Sequence, residues 1–513
     1  MSKRPGRKAA TRIVALLLAV TTSIALAGCR GGSGRDSNVV KIGLIAAFNG
    51  PLAYFGTAFG KGTAMYADEI QEAGGIFEGK TLEVISCDSE RRADKEVTCV
   101  EKLVNKDKVV AIIADNSEGI RSPRATKTIN DNKIPVMLPT QVLPEAEMTG
   151  DKSPYLFGET TRRDYASTLI DFMKNQQGHT KFALLHATDF YGDEGMKETT
   201  EAFKSAGIQP TAVETYAVGD QDMTIQAGKL RDSGAEAVIV WGLGSDAARA
   251  VESMKRIGYR PQIAGPPGLY INTYRQVLQA DSNDTIMSAP HAKGDLPVNL
   301  QEVAWIFRFY LKYGFNFFTI NGKSAPDWPI VEMNAYKAIR YIGQAIDKVQ
   351  STDGEMIRNI LESGQRFESL GNQVRWTQQS HLSKTQPESE TWVARFIDGH
   401  VLFDWDPRAP KAFEWCRRDV EEAMTQQRLD ETGRKATPVI QLLLGEIKLC
   451  FSRYEADFRA RLGNERFEEL RKLVDAIAAD PGRAAEIAQG AGRSDPLGRS
   501  TASPAPGGLQ QQP

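Results

Sequence analysis

From Val39 the chain alternates short apolar runs with amphipathic stretches, and this rhythm restricts the fold more than any other feature. KIGLIAAF (41–48), TLEVISCD (81–88), VVAIIAD (109–115) and PVMLPT (135–140) read as strands. Runs this continuous suit parallel strands covered on both faces. The segments between them, about 56–73, 91–107 and 121–131, predict helices. A second series follows with FALLHA (182–187), TAVETYAV (211–218), AVIVWG (237–242) and QIAG (262–265), again with helical stretches between. Repeated βαβ units imply an α/β fold of doubly wound parallel sheets, and two series imply two lobes. Ligands of open α/β sheets bind beyond the carboxyl ends of the strands. That rule points to the loops 48–56, 115–121, 140–145, 187–192, 242–246 and 265–270.

The rhythm then changes. TIMSAP (285–290) predicts one more strand, and 328–349 a long helix with Ala335, Ile339, Ile342, Ile346 and Val349 on one face. Short strands are expected near 373–376, 392–397 and 401–405. After Pro410 a helical extension is expected over 411–480, where Thr437 and Pro438 read as an N-cap and first helical residue. The remainder, 481–513, ends in the low-complexity SDPLGRSTASPAPGGLQQQP and is expected to be disordered.

The N-terminus carries a different signal. Lys3, Arg4, Arg7, Lys8 and Arg12 precede the apolar stretch 13–26, broken only by Thr21, Thr22 and Ser23. This is short for a spanning helix and reads as a secretory signal peptide over 1–28. Its end, LAGC (26–29), resembles the bacterial lipobox, which implies that Cys29 becomes the first mature residue and carries acyl chains on sulfur and nitrogen. One chain holds a protein marginally, and two hold it stably. RGGSGRDSN completes a Gly- and Ser-rich tether over 29–38. No later window offers eighteen consecutive apolar residues, so a soluble body outside the cytoplasmic membrane is expected.

A net charge of −2 lacks the basic excess of a nucleic-acid binder. Of the five cysteines, four remain beside Cys29 and fall as Cys87 with Cys99 and Cys416 with Cys450. Outside the cytoplasm they suggest two disulfides; buried free thiols are the alternative, and spacing does not fix the connectivity. No CxxC pair suggests a zinc site. GLGSDA (242–247) matches a loose dinucleotide fingerprint, yet the next strand ends in Ile263-Ala264-Gly265-Pro266 without the acidic residue a ribose needs. NGKS (321–324) has Phe317 where a P-loop requires glycine. The histidines form no HExxH pair, and there is no GxSxG elbow. An enzyme is not expected, nor a cofactor or metal.

GLIAAFNGPLAYFGTAFGKGTAMYADEI with QEAGGI, LEVISCDSERRADKEVTCVEKLV, IPVMLPT, LLHATDFYGDEG, VIVWGLGSDAARAVESMKRIGYRPQIAGPPG and WPIVEMNAYKAIRYIGQAI occur in this order. Together, over about 39–405, they resemble the periplasmic branched-chain amino-acid-binding proteins, the type I solute-binding proteins of ABC importers. The resemblance implies three hinge crossings, near 158, 290 and 370. Lobe 1 would comprise 39–157 and 291–370, and lobe 2 would comprise 158–290 and 371–410.

It also implies binding residues. Phe55 stands where a tyrosine is usual, Tyr191-Gly192 matches the Tyr-Gly of the second lobe, and Asn116 and Ser117 match the serine-rich loop. Val142 replaces a hydroxyl residue that holds the ligand carboxylate, leaving Thr140 or Gln141 to substitute. Gly244 and Asp246 lie at a neighbouring strand tip. Pro267 occupies the place of the acidic residue that meets the α-ammonium, so Asp246 or Glu118 would have to supply that charge, or the ligand is not a plain α-amino acid. The expectation is a lipid-anchored receptor that captures a small polar solute, an amino acid, amide or related compound. Its partners would be ABC permease subunits and, through Cys29, the membrane, with no nucleic acid. The alternative is a sensor or adaptor with the same lobes, not coupled to transport.

Overall fold

The structure, a computed structural model, describes residues 38–115, 118–139, 147–158, 165–291, 300–314, 317–320, 323–326, 329–370, 372–383, 390–397 and 400–403, with isolated helical positions between 459 and 472. The signal peptide, Cys29, Asn116, Ser117, Thr140, Gln141, Cys416, Cys450, the tail and nearly all of the extension lie outside the described residues.

Five strands form one wholly parallel sheet: β1 (Val39–Ala46), β2 (Thr81–Asp88), β3 (Ala111–Ala114), β4 (Val136–Leu138) and β5 (Leu156–Gly158), in the order β2-β1-β3-β4-β5. A second sheet takes β6 (Phe182–Ala187), β7 (Ala212–Tyr216), β8 (Ala237–Trp241), β9 (Gln262–Gly265) and β10 (Ile286–His291). Its order is β16-β15-β10-β9-β8-β6-β7. It is parallel from β7 to β10, and β15 (Glu390–Ile397) and β16 (His400–Phe403) add antiparallel strands at one edge. The hairpins β11 (Phe317–Ile320) with β12 (Lys323–Pro326) and β13 (Phe367–Ser369) with β14 (Asn372–Val374) stand apart from both.

The apolar continuity of the strands has the expected cause. Leu44 packs in a cluster with Tyr66 and Ile339, and its neighbour Ile45 in another with Val100 and Ile129. In the second sheet Val240 joins Val251 and Tyr274, whereas Trp241 joins Leu169 and Phe203. Successive side chains of a strand point to opposite faces, and here each face meets helices. Of the longer helices, Ala53–Glu72 and Ile330–Val349 lie close enough that a Cβ on Gly62 would sit 2.0 Å from the Glu332 carbonyl oxygen. Among the described residues no helix is long and apolar enough to cross a membrane.

Some details differ from the sequence-based expectation. β5, β11, β12 and β13 are additional. The helix expected over 91–107 runs as Ala93–Glu101 and then widens into a π-helical turn, Lys102–Asp107, ended by Lys108 at φ 59°. The chain also stays with the first sheet beyond residue 370. The Trp376 indole N–H donates to the Gly158 carbonyl at 2.8 Å, His381 stacks on Phe157 with centroids 4.2 Å apart, and Leu382 shares a core cluster with Leu138 and Leu156. Residues 372–383, assigned to the second lobe by resemblance, therefore pack on the first. These contacts join positions more than two hundred residues apart, which periodicity does not report.

Candidate functional site

Strand order reverses at β1 in the first sheet and at β6 in the second. Chains leaving such a strand on either side diverge and open a crevice beyond its carboxyl end. The loops that follow the strands of each sheet border these crevices.

The first wall starts where β1 ends. The backbone N–H of Phe48 donates to Asp88 Oδ1 at 2.8 Å, and the Asn49 amide donates to Asp88 Oδ2 at 2.7 Å. Burial pushes the Asp88 carboxyl up, but hydrogen bonds from Asn49, Phe48 and Glu90 together hold it below its ordinary value. Gly56 N–H donates to the Ala47 carbonyl at 2.8 Å, an approach that leaves no room for a Cβ, and this places Phe55 in the first helical turn. Phe55 is buried, and the Arg91 guanidinium lies over its ring at 4.9 Å. A disulfide between Cys87 and Cys99 ties the end of β2 to the helix Ala93–Glu101. The same helix holds the 115–121 loop through Gly119 N–H and the Glu96 carboxylate, 2.6 Å apart. At the end of β3, Asp115 accepts from Ala47 N–H at 3.2 Å, and burial pushes its carboxyl up against the opposing charge of Arg91.

The second wall starts where β6 ends. Asp189 caps the helix Phe190–Ser205, its Oδ1 accepting from Gly192 N–H at 2.9 Å. That cap fixes Tyr191, whose ring packs against Trp241 at 5.2 Å and whose hydroxyl accepts from Gly268 N–H at 3.2 Å. Burial pushes the Tyr191 phenol well above its ordinary value. Gly244, at φ +47°, opens the helix Gly244–Arg256, and a Cβ there would lie 2.2 Å from the Thr273 hydroxyl. The residue is glycine for backbone reasons.

Asp246 is only 2% exposed. Its Oδ1 is paired with Arg249, and its Oδ2 accepts from Gly219 N–H at 3.2 Å. Both oxygens are therefore committed within the protein, and the carboxylate is poorly placed to meet a ligand charge. Pro267 opens the short 3₁₀ turn Pro267–Tyr270 and has no N–H to offer.

The walls meet. Leu243 of the second belongs to the same apolar cluster as Leu52 and Phe55 of the first, and Tyr191 and Ile271 pack against that cluster. The Arg121 guanidinium lies 5.5 Å from the centre of the Phe190 ring, and Gly219 lies against Pro51. The sequence-predicted residues Phe55 and Tyr191 thus border one apolar cluster. Leu243, Arg91, Tyr216 and Asp189 line or support these walls without having been singled out. For Asp246 the clue was legible, because Arg249 stands three residues on, where a helical ion pair forms. A hollow lined by His179, Glu236, Lys255 and Arg260 lies at the opposite, amino end of β8 and β9, away from these loops. An apolar lining with a few oriented polar groups suits a small organic solute.

Residues 39–400 match the family model described as periplasmic binding protein. The chain is similar to a "Leu/Ile/Val-binding protein homolog 3" of Brucella melitensis, with 22% identity over 73% of this chain and 97% of that one. It is similar to a "Leucine-, isoleucine-, valine-, threonine-, and alanine-binding protein" of Pseudomonas aeruginosa, with 24% identity over 66% of this chain and 85% of that one. Among solved structures, the substrate-binding protein of a branched-chain amino acid transporter from Streptococcus pneumoniae, in complex with isoleucine, shares the fold. Its TM-score is 0.59 at 20% identity, covering 71% of this chain and 97% of that one.

Proposed function

The chain belongs to the periplasmic binding protein family, and on that footing we propose that it is a lipid-anchored, extracytoplasmic receptor delivering a small polar solute to an ABC importer. The solute, an amino acid, amide or related compound, is captured between the strand ends of the two sheets. One observation carries the reading: Leu243 from one wall shares an apolar cluster with Leu52 and Phe55 from the other, and Tyr191 packs against it. A guest held there touches both walls, so binding and closure are one event. The relatives whose names specify branched-chain amino acids support this class of guest, and none of those names describes an enzyme. The Cys29 anchor keeps the receptor beside its permease.

The test is a thermal-shift screen of the mature chain with amino acids, amides, aromatic acids and short polyamines. A solute at 100 times its Kd adds roughly 2.7 kcal/mol of stability, a shift of several degrees. We expect one class to produce it; a flat response across the panel contradicts the reading. For the anchor, Cys29→Ser is expected to move the protein from the membrane fraction to the soluble fraction. Unchanged membrane association would exclude Cys29 as the attachment point.

A further inference from the structure

We propose that Phe190 and Arg121 form a latch between the two walls, beside the solute space rather than in it, that sets how long the walls stay together. The inference rests on the solute-capture reading and concerns the release of the guest, not its recognition. Asp189 caps the helix Phe190–Ser205, and this fixes Phe190 and Tyr191 at its start. These two neighbours meet different cores of the facing wall. Tyr191 packs against the cluster that holds Leu44, Leu52, Phe55 and Leu243. Phe190 packs against the cluster that holds Ile45, Ile120 and Ile129. Leu44 and Ile45 are successive residues of β1, so their side chains lie on opposite faces of the first sheet. The helix start therefore straddles that sheet. Leu52, Phe55 and Leu243 all belong with Tyr191, and Phe190 stands on the other side.

The first wall supplies the other half. Arg121 lies at the end of the 115–121 loop, next to the buried Ile120, and its guanidinium is 5.5 Å from the centre of the Phe190 ring. It is also paired with Glu147, the neighbour of Met148 in the same cluster. The Arg121 side chain is 25% exposed. A cation held over an aromatic face gains strength as it leaves water. Phe190 thus enters the first wall as an apolar peg with a charged cover.

The two halves of this contact follow strands of different sheets, so it exists only while the walls meet. A contact made in one arrangement and lost in the other shifts the balance between them, whatever the guest. Apparent affinity follows the fraction of chains in the competent arrangement. Phe190 and Arg121 are positioning residues: they act on the guest through closure, and every solute feels them equally.

Titration calorimetry and stopped-flow release test this on the mature chain and its Phe190→Ala, Arg121→Gln and double variants. The probes are leucine, phenylalanine, benzoate and putrescine, with any other member of the thermal-shift panel that stabilises the wild type. We expect each single variant to bind roughly fivefold to thirtyfold more weakly, by a common factor for all solutes bound. The loss should lie in release, with association within about threefold. The double variant should bind no more weakly than Phe190→Ala, because both changes remove one contact. Phe190→Leu keeps an apolar peg without the ring; it replaces the alanine variant should that fail to fold, and should match Arg121→Gln. Losses that multiply in the double variant, differ between solutes, or lie in association overturn the latch and leave solute capture standing. So do single variants that bind and release as the wild type does. A wild type that binds neither these probes nor any member of the panel overturns both.

Discussion

Replacing Glu69 by alanine is expected to lower stability by about 3–5 kcal/mol, the cost of removing one partner from a buried ionic network. Glu69 sits where the helix Ala53–Glu72 meets Ile330–Val349 and the helix carrying Arg308. The Arg308 guanidinium pairs with Glu69 Oε1 at 2.8 Å, and the Tyr336 hydroxyl donates to Oε2 at 2.5 Å. Arg340, 2% exposed, donates to the same Tyr336 oxygen at 3.4 Å and to the Glu368 carbonyl at 3.1 Å. Burial, and then the charge of Glu69, push the Tyr336 phenol far up, so it stays a donor. Without Glu69, buried positive charge loses its counter-ion and Tyr336 loses its acceptor. Glu69→Gln keeps an acceptor and should cost less. The urea midpoint of each variant measures the difference; a shift for Glu69→Ala equivalent to under about 1 kcal/mol would show the network to be a surface-like pair.

Replacing Tyr191 by alanine is expected to weaken solute binding by about 30- to 1000-fold, the range for losing a buried aromatic anchor. Three things go together: ring contact with Trp241, packing against the inter-wall cluster, and the acceptor for Gly268 N–H. Tyr191→Phe separates them. It keeps the ring and strands the amide, at a cost of about 1–3 kcal/mol. Titration with the best solute of the thermal-shift panel should rank wild type above Phe above Ala. Equal affinities for all three would remove Tyr191 from the site.

The two sheets were legible because their strands are buried on both faces and so read as unbroken apolar runs. FALLHA occupies β6 from Phe182 to Ala187, as the sequence predicts, and QIAG occupies β9. β5 escaped because three residues, Leu156–Gly158, are too few to show a period. Residues 372–383 were placed on the wrong side because what holds them, the Trp376 bond to Gly158 and the His381 stack on Phe157, depends on long-range packing. Tyr191 was singled out by the resemblance that HATDFYG carries. Asp189, two residues earlier, reads locally as a helix cap, and only the strand order shows that it stands at a switch point. Pro267 was noticed for the charge it lacks; the commitment of Asp246 to Arg249 became clear only from geometry.

The most direct measurement is hydrogen–deuterium exchange of the mature chain with and without saturating amounts of the solute that stabilises it most. If the guest bridges both sheets, exchange slows together at 47–56 and 118–121 on one side and at 187–192 and 242–246 on the other. Protection confined to the loops of a single sheet, or centred on the hollow near His179 and Arg260, would contradict a shared cleft.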